Sequence, residues 1–332
     1  MMTKKKLFTL LIYLLLLIVF LLMFFQMRGS DGPAVNDKVA VRIGISQTPL
    51  SAPFIIAEHL HLFRESSINL TYVPCLGGVK CVNLLKEGKV DYATASESVV
   101  MFNSFTDEDL ALVVSFVESA NDLKLLTLKS SGVDSVNDLE GKRVGVIKAS
   151  ASEFYFDTML IISTLKNMPV TKVYMPPEEL VNQLTSFQVD AVSIWEPYGY
   201  KAHLQAGNDV VNLGIPGVYQ LSFNLLSNKS YLKGRHEQAR DIILVLESAI
   251  EWIHSHPEQA KHIVAEKLNI PLNEIEWSWE DYVFRLSLGS SLLTNLQLQA
   301  RWATERGLVE GELPDLRTVI YRQPFDAAGQ AE

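Results

Sequence analysis

Two stretches offset by 99 residues constrain this chain more than any other feature. Val90-Asp91-Tyr92-Ala93-Thr94-Ala95-Ser96-Glu97 opens with Val-Asp and reaches a glutamate seven positions after the valine. Val189-Asp190 stands in the same relation to Glu196. A second pair carries nearly the same offset. The glycines of Val41-Arg42-Ile43-Gly44-Ile45 and Arg143-Val144-Gly145-Val146-Ile147 lie 101 residues apart. The shared offset points to two similar α/β halves. Chance recurrence of common dipeptides is the competing explanation.

Each half reads β-α-β-α-β, which demands parallel strands with right-handed crossovers. In the first half, residues 39–45, 68–74 and 90–95 alternate as strands. A helix follows Ser51-Ala52-Pro53, with Pro53 in its first turn, and another opens at Gly77-Gly78. Residues 110–116 and 123–128 are further strand candidates. In the second half, strands at 144–147, 170–175 and 191–194 alternate with helices at 154–165 and 177–187. Pro197 stops the last strand, because proline cannot donate to a sheet ladder and restricts its predecessor. From residue 230 the texture turns helical, with helices expected at 237–254, 257–268, 272–284 and 291–305. The expected division is lobe 1 over 39–128 and 228–325, including this tail, and lobe 2 over 129–227.

The N-terminus follows Lys4-Lys5-Lys6 with an apolar run over residues 7–25, broken only by Thr9 and Tyr13. At about 1.5 Å per residue the run nearly spans a bilayer core of about 30 Å. Lysines before it and few basic residues after it place the remainder outside the cytoplasm. Gln26-Met27-Arg28 offers no small-residue cleavage site, so residues 1–28 read as an uncleaved anchor and 29–38 as a tether. A cleaved signal peptide is the alternative. A net charge of −9 argues against nucleic acid and gives no basic surface for anionic lipid. The two cysteines, Cys75 and Cys81, flank Gly77-Gly78, and a disulfide suits an exported domain. Two free, half-buried thiols remain the alternative.

Ligands of open α/β sheets bind beyond the carboxyl ends of the strands. There the sequence offers Gln47, Thr48 and Ser51, Gly77 and Gly78, Ser96, Glu97 and Ser98, Ser150, Ser152 and Glu153, and Trp195, Glu196 and Tyr198. Several stand at helix N-termini, where free N–H groups favour an anionic or carbonyl-bearing ligand. Glu97 and Glu196 add acceptors for an amine or N–H edge, and Trp195 a stacking wall. Capping explains Ser51 and Ser150 about as well, with Glu153 completing a capping box, and core packing competes for Trp195.

Catalytic patterns are absent from the sequence: it has no Gly-x-Ser-x-Gly elbow, phosphate loop or Gly-x-Gly-x-x-Gly after a strand. His59-Leu60-His61 and His254-Ser255-His256 have the wrong spacing for helical metal ligands. Neither a cofactor nor a metal is expected.

Six segments in order carry a resemblance over residues 40–300. They are Ala52-Pro53-Phe54-Ile55-Ile56-Ala57-Glu58, Gly77-Gly78, the run from Leu84 to Ala93, the run from Asp138 to Val146, Trp195-Glu196-Pro197-Tyr198, and His256-Pro257-Glu258-Gln259-Ala260. With them the chain resembles periplasmic solute-binding proteins of nitrate/sulfonate/taurine and thiamine-pyrimidine ABC uptake systems (NMT1/SsuA-like). The resemblance implies a two-lobed periplasmic-binding-protein fold of type II that closes on a small solute by hinge motion. It implies ABC permease and ATPase partners, and ligand contacts at the strand tips named above. Ala149-Ser150 departs from the family's Gly-Thr or Gly-Ser, which bears on anion binding there. A membrane-anchored sensor subunit and a thiamine-pyrimidine synthase-like enzyme are the alternative functions. The two glutamates and the tryptophan lean toward an aminosulfonate or a pyrimidine over bare nitrate.

Overall fold

The computed structural model describes residues 38–329. The expected anchor over residues 7–25 and almost all of the tether lie outside them. Among the described residues, no helix is long and apolar enough to cross a membrane.

The strands form two sheets. The first holds β1 (Val39–Ser46), β2 (Ile68–Cys75), β3 (Tyr92–Ser96) and β4 (Leu110–Ser119). The second holds β5 (Leu123–Leu128), β6 (Arg143–Val146), β7 (Thr171–Tyr174), β8 (Ala191–Trp195) and β9 (Val210–Asn212). The chain then returns to the first sheet as β10 (Leu221–Asn228) and β11 (Tyr282–Ser287). The strand orders are β11-β4-β10-β3-β1-β2 and β7-β6-β8-β5-β9. The repeated β-α-β-α-β cores are parallel in both: β1 pairs with β2 and β3, and β6 pairs with β7 and β8. Strands β10, β11 and β5 run antiparallel to their neighbours.

The 99-residue offset has a physical basis in these cores. Asp91 accepts from the Arg42 backbone N–H at 2.8 Å and from its guanidinium at 2.8 Å. Asp190 accepts from the Arg143 backbone N–H at 2.8 Å and from its guanidinium at 3.4 Å. The same Nη2 of each arginine also donates to a carbonyl just before the aspartate, Gly88 or Phe187. One clamp thus registers the first strand of each half against the third.

Two strand assignments depart from the sequence-based division. Residues 123–128, expected in lobe 1, pair with β8 in the second sheet. Residues 221–227, expected in lobe 2, form the strand between β3 and β4 in the first sheet. Crossings therefore fall at residues 120–122 and 213–220. The helix expected over 272–284 also ends early. Residues from Tyr282 alternate buried and exposed with period two, and they pair with β4 instead.

The helices of eight or more residues are α1 (Ala52–His59), α2 (Gly78–Lys86), α3 (Glu97–Ser104), α4 (Ala151–Ile162), α5 (Pro177–Thr185), α6 (Tyr198–Ala206), α7 (His236–Ser255), α8 (Pro257–Leu268), α9 (Leu272–Trp279) and α10 (Ser290–Glu305). The large apolar core runs without a break from the first sheet through Phe154, Tyr155 and Tyr219 to α10. A smaller cluster, including Leu180, Leu184, Val192 and Ile194, lies on the other face of the second sheet. Helix α10 anchors on α4 through buried Asp157, which accepts from Trp302 Nε1 at 2.8 Å and pairs with Arg306 at 2.9 Å. The tail therefore holds both halves, not the first alone.

Cys75 and Cys81 are joined by a disulfide, with Cα atoms 5.4 Å apart. Between them Gly77 has φ +78°, a left-handed value suited to glycine. Gly78 is required for a different reason. A Cβ there would lie 2.7 Å from Ala95 Cβ and 2.8 Å from Ala95 Cα. Helix α2 enters that close to β3. Gly78→Ala is expected to cost about 1–3 kcal/mol in urea unfolding; an unchanged midpoint would mean the helix can slide.

Candidate functional site

The strand tips gather as the parallel sheets require. In the first half, Ser46 is in register with Cys75, and Gln47 N–H donates to the Cys75 carbonyl at 3.0 Å. Exposed Gln47 and Gly77 thus lie side by side, with half-buried Thr48, Gly78 and Ser96 next to them. Thr48 caps its own turn by accepting from Leu50 N–H. In the second half, Trp195 ends β8 half-buried, opposite Leu123, and a cis peptide joins Glu196 to Pro197. Tyr198 is half-buried, with the Lys201 ammonium 4.9 Å from its ring centroid.

Three serines serve the scaffold. Ser51 and Ser152 are fully buried. Ser51 Oγ donates to the Ser46 carbonyl at 2.8 Å, and Ser152 Oγ donates to the Ser193 carbonyl at 2.6 Å. Ser150 Oγ donates backward to the Ile147 carbonyl at 2.6 Å. Neither Ser51 nor Ser150 caps its helix, because each hydroxyl is spent on the preceding strand end. Glu153 accepts from Ala149 N–H at 2.9 Å, so the capping box is not formed; it also holds Lys172 and the Tyr174 hydroxyl.

Glu97, in the first turn of α3, is fully buried and surrounded by donors from three other places in the chain. Its Oε2 accepts from Ser222 N–H at 2.8 Å. Its Oε1 accepts from Gln299 Nε2 of α10 at 3.0 Å and from the Tyr219 hydroxyl, which lies on the second crossing segment. Burial pushes this carboxyl up to about 7, against the pull of its hydrogen bonds. Tyr219 also contacts the second half, with its ring centroid 5.6 Å from that of Phe154. It therefore ties α3 to α4 across the junction.

Glu196 belongs to a separate cluster at the first crossing. It accepts from Tyr200 N–H at 3.1 Å and from Trp277 Nε1 of α9 at 3.0 Å. Its Oε1 is 3.7 Å from Lys124 Nζ. Lys124 donates to the Asn121 carbonyl and stands 3.9 Å from Asp281. Buried Asp122, on the crossing itself, faces the Tyr282 hydroxyl at 3.4 Å. Burial first, and then the Glu196 charge, pushes Asp122 up to about 8. Burial also raises Glu196. Three carboxyl groups share one ammonium here.

Glu97 and Glu196 therefore sit in different networks despite their identical spacing in the sequence. Strand-tip reasoning missed Tyr219, Gln299, Asp122, Lys124 and Trp277, which come from crossings, a strand start and the helical tail. The polar position of Gln299 on an otherwise apolar face of α10 is the one signal that sequence alone held. Among the described residues, no group of three or more His, Cys, Asp or Glu side chains is placed to hold a metal ion.

The NMT1/THI5-like family model matches residues 48–260, well over half of the chain. The chain belongs to the NMT1/THI5-like family. Among proteins similar to this family member, an aliphatic sulfonates-binding protein of Bacillus subtilis is 24% identical over 71% of this chain and 72% of its own length. A thiamine biosynthesis protein, by name, of Haemophilus influenzae is 23% identical over 73% of this chain and 78% of its own. The periplasmic aliphatic sulphonate binding protein SsuA of Escherichia coli superposes with TM-score 0.76 at 21% identity, covering 86% of this chain and 92% of that one. At that identity the likeness shows the fold. This NMT1/THI5-like chain has the periplasmic binding protein fold, with two α/β sheets and flanking helices.

Proposed function

We propose that this chain is an extracytoplasmic solute-binding protein of an ABC import system. Its two halves, the first sheet with the tail and the second sheet, act as lobes that close on a small polar organic solute, sulfonate-like or pyrimidine-like, and present it to a permease. The observation that carries this reading is the junction itself. Tyr219, on the second crossing segment, bonds to Glu97 of the first half and packs on Phe154 of the second, a contact of the kind that separates when such lobes open. Family membership and relatives named for sulfonate binding support it.

A thermal-shift panel tests the reading. It holds taurine, alkyl sulfonates, hydroxymethylpyrimidine, polyamines, nitrate and bicarbonate. A solute at a hundred times its dissociation constant stabilises the folded state by about 2.7 kcal/mol, a rise of roughly 5 °C for a chain this size. One class is expected to give that rise. A flat panel would count against solute capture and favour a sensor that reads a partner.

A further inference from the structure

Glu97 differs from the other buried carboxylates at the junction. Glu153 and Asp157 both pair with Lys172, at 2.9 and 3.0 Å, and Glu196 has Lys124. Among the described residues the partners of Glu97 are all neutral: the hydroxyls of Ser98, Tyr219 and Ser222, the Ser222 N–H and the Gln299 amide. A buried carboxylate with no cation is costly, so burial drives it toward the protonated form unless a positive charge arrives.

A second observation points the same way. Gln299 is fully buried, and among the described residues its Oε1 has no hydrogen-bond partner. Its orientation is fixed, because Nε2 donates to both Glu97 Oε1 and Asn295 Oδ1, at 3.0 and 3.2 Å. Turning the amide over would set its oxygen against both acceptors. Beside the carboxylate there is thus an open acceptor, and leaving one buried costs about 1–3 kcal/mol. The group that covers Glu97 now is the Tyr219 hydroxyl, a neutral donor carried on a crossing segment and held against Ser98 as well, at 3.2 Å. Phe154 packs against both the Tyr219 ring and the Trp302 ring, 5.6 and 5.1 Å away, so Tyr219 bridges to the second half and to the helical tail.

We propose that Glu97 and Gln299 form the recognition point for a protonated amine on the solute, and that Tyr219 is an internal stand-in which leaves when the amine arrives. The proposal rests on the solute-binding reading above and deepens it. An ammonium has the three donors needed to satisfy Glu97 and the open Gln299 oxygen together, whereas a phenol has one.

The test pairs probes that differ only in the amine, using the purified full chain and titration calorimetry: taurine against ethanesulfonate, and putrescine against 1,4-butanediol. The amine member of at least one pair is expected to bind tenfold or more tightly than its analogue. Tyr219→Phe, which removes the stand-in, is expected to tighten that amine several-fold and leave the analogue unchanged. Glu97→Gln is expected to erase the discrimination. Where that variant does not fold, Gln299→Leu supplies the same reading through a several-fold loss confined to the amine. Equal binding of both members in the native chain, or a Tyr219→Phe effect shared by both, overturns the amine proposal while solute binding stands. No binding by any probe here or in the wider panel overturns both.

Discussion

Replacing Lys124 with methionine is expected to destabilise the fold by about 3–5 kcal/mol, with the larger loss at higher pH. Methionine keeps the length of the buried stem and deletes the ammonium. What remains is Glu196, Asp122 and Asp281 around a position with no positive charge. The two buried carboxyls are already held above their ordinary range by burial, and Lys124 is the group that pulls them down. Without it both bind protons more tightly in the folded chain. The variant therefore loses less at pH 5, where Asp122 stays protonated, than at pH 8, where ionising either carboxyl leaves it unpaired. Urea unfolding followed by tryptophan fluorescence at the two pH values reads both quantities. A loss under 1 kcal/mol at both would mean that water reaches the cluster and that Lys124 does not hold the crossing.

The native chain is expected to lose stability as pH rises from about 4.5 to 8. Glu97 and Asp122 are pushed up to about 7 and about 8, chiefly by burial, from ordinary values of 4.5 and 3.8. Between those limits the folded chain holds more protons than the unfolded one, so stability falls with pH. Their contribution is complete below the ordinary carboxylate range and is lost as pH passes the folded values. Each group adds a slope of up to about 1.4 kcal/mol per pH unit within its window. Glu97→Gln isolates one share, because the amide cannot ionise and can still accept from Ser222 N–H. The difference in stability between pH 5 and pH 7 is expected to shrink in that variant. An unchanged slope would mean that Glu97 titrates in its ordinary range.

The parallel core of each half was legible because the same physical parts recur at one offset. Arg42 clamps Asp91 as Arg143 clamps Asp190, and Ser51 and Ser152 fix helix starts to strand ends. Those side chains do local work, so their spacing is preserved along the chain. The antiparallel strands β10 and β11 were not legible in this way. Their partner β4 is remote in sequence, and neither belongs to the repeated unit. The candidate site divides likewise. Tip positions follow from strand direction alone, but the environment of each tip is set by residues that return from elsewhere. Glu97 and Glu196 look equivalent in sequence; Gln299 and Tyr219 enclose one with neutral donors, while Lys124 and Trp277 make the other part of a charged cluster at the first crossing.

Lobes that close on a solute must shorten the distance between positions on the two halves. Spin labels at Lys86→Cys and Gln188→Cys would sit at exposed positions on the two halves, and the native cysteines are bonded to each other and take no label. Pulsed electron resonance would be recorded without solute and with the panel member that stabilises the chain. A broad or longer distribution is expected to collapse to a single shorter distance on adding the solute. Superimposable distributions with and without a bound solute would contradict lobe closure.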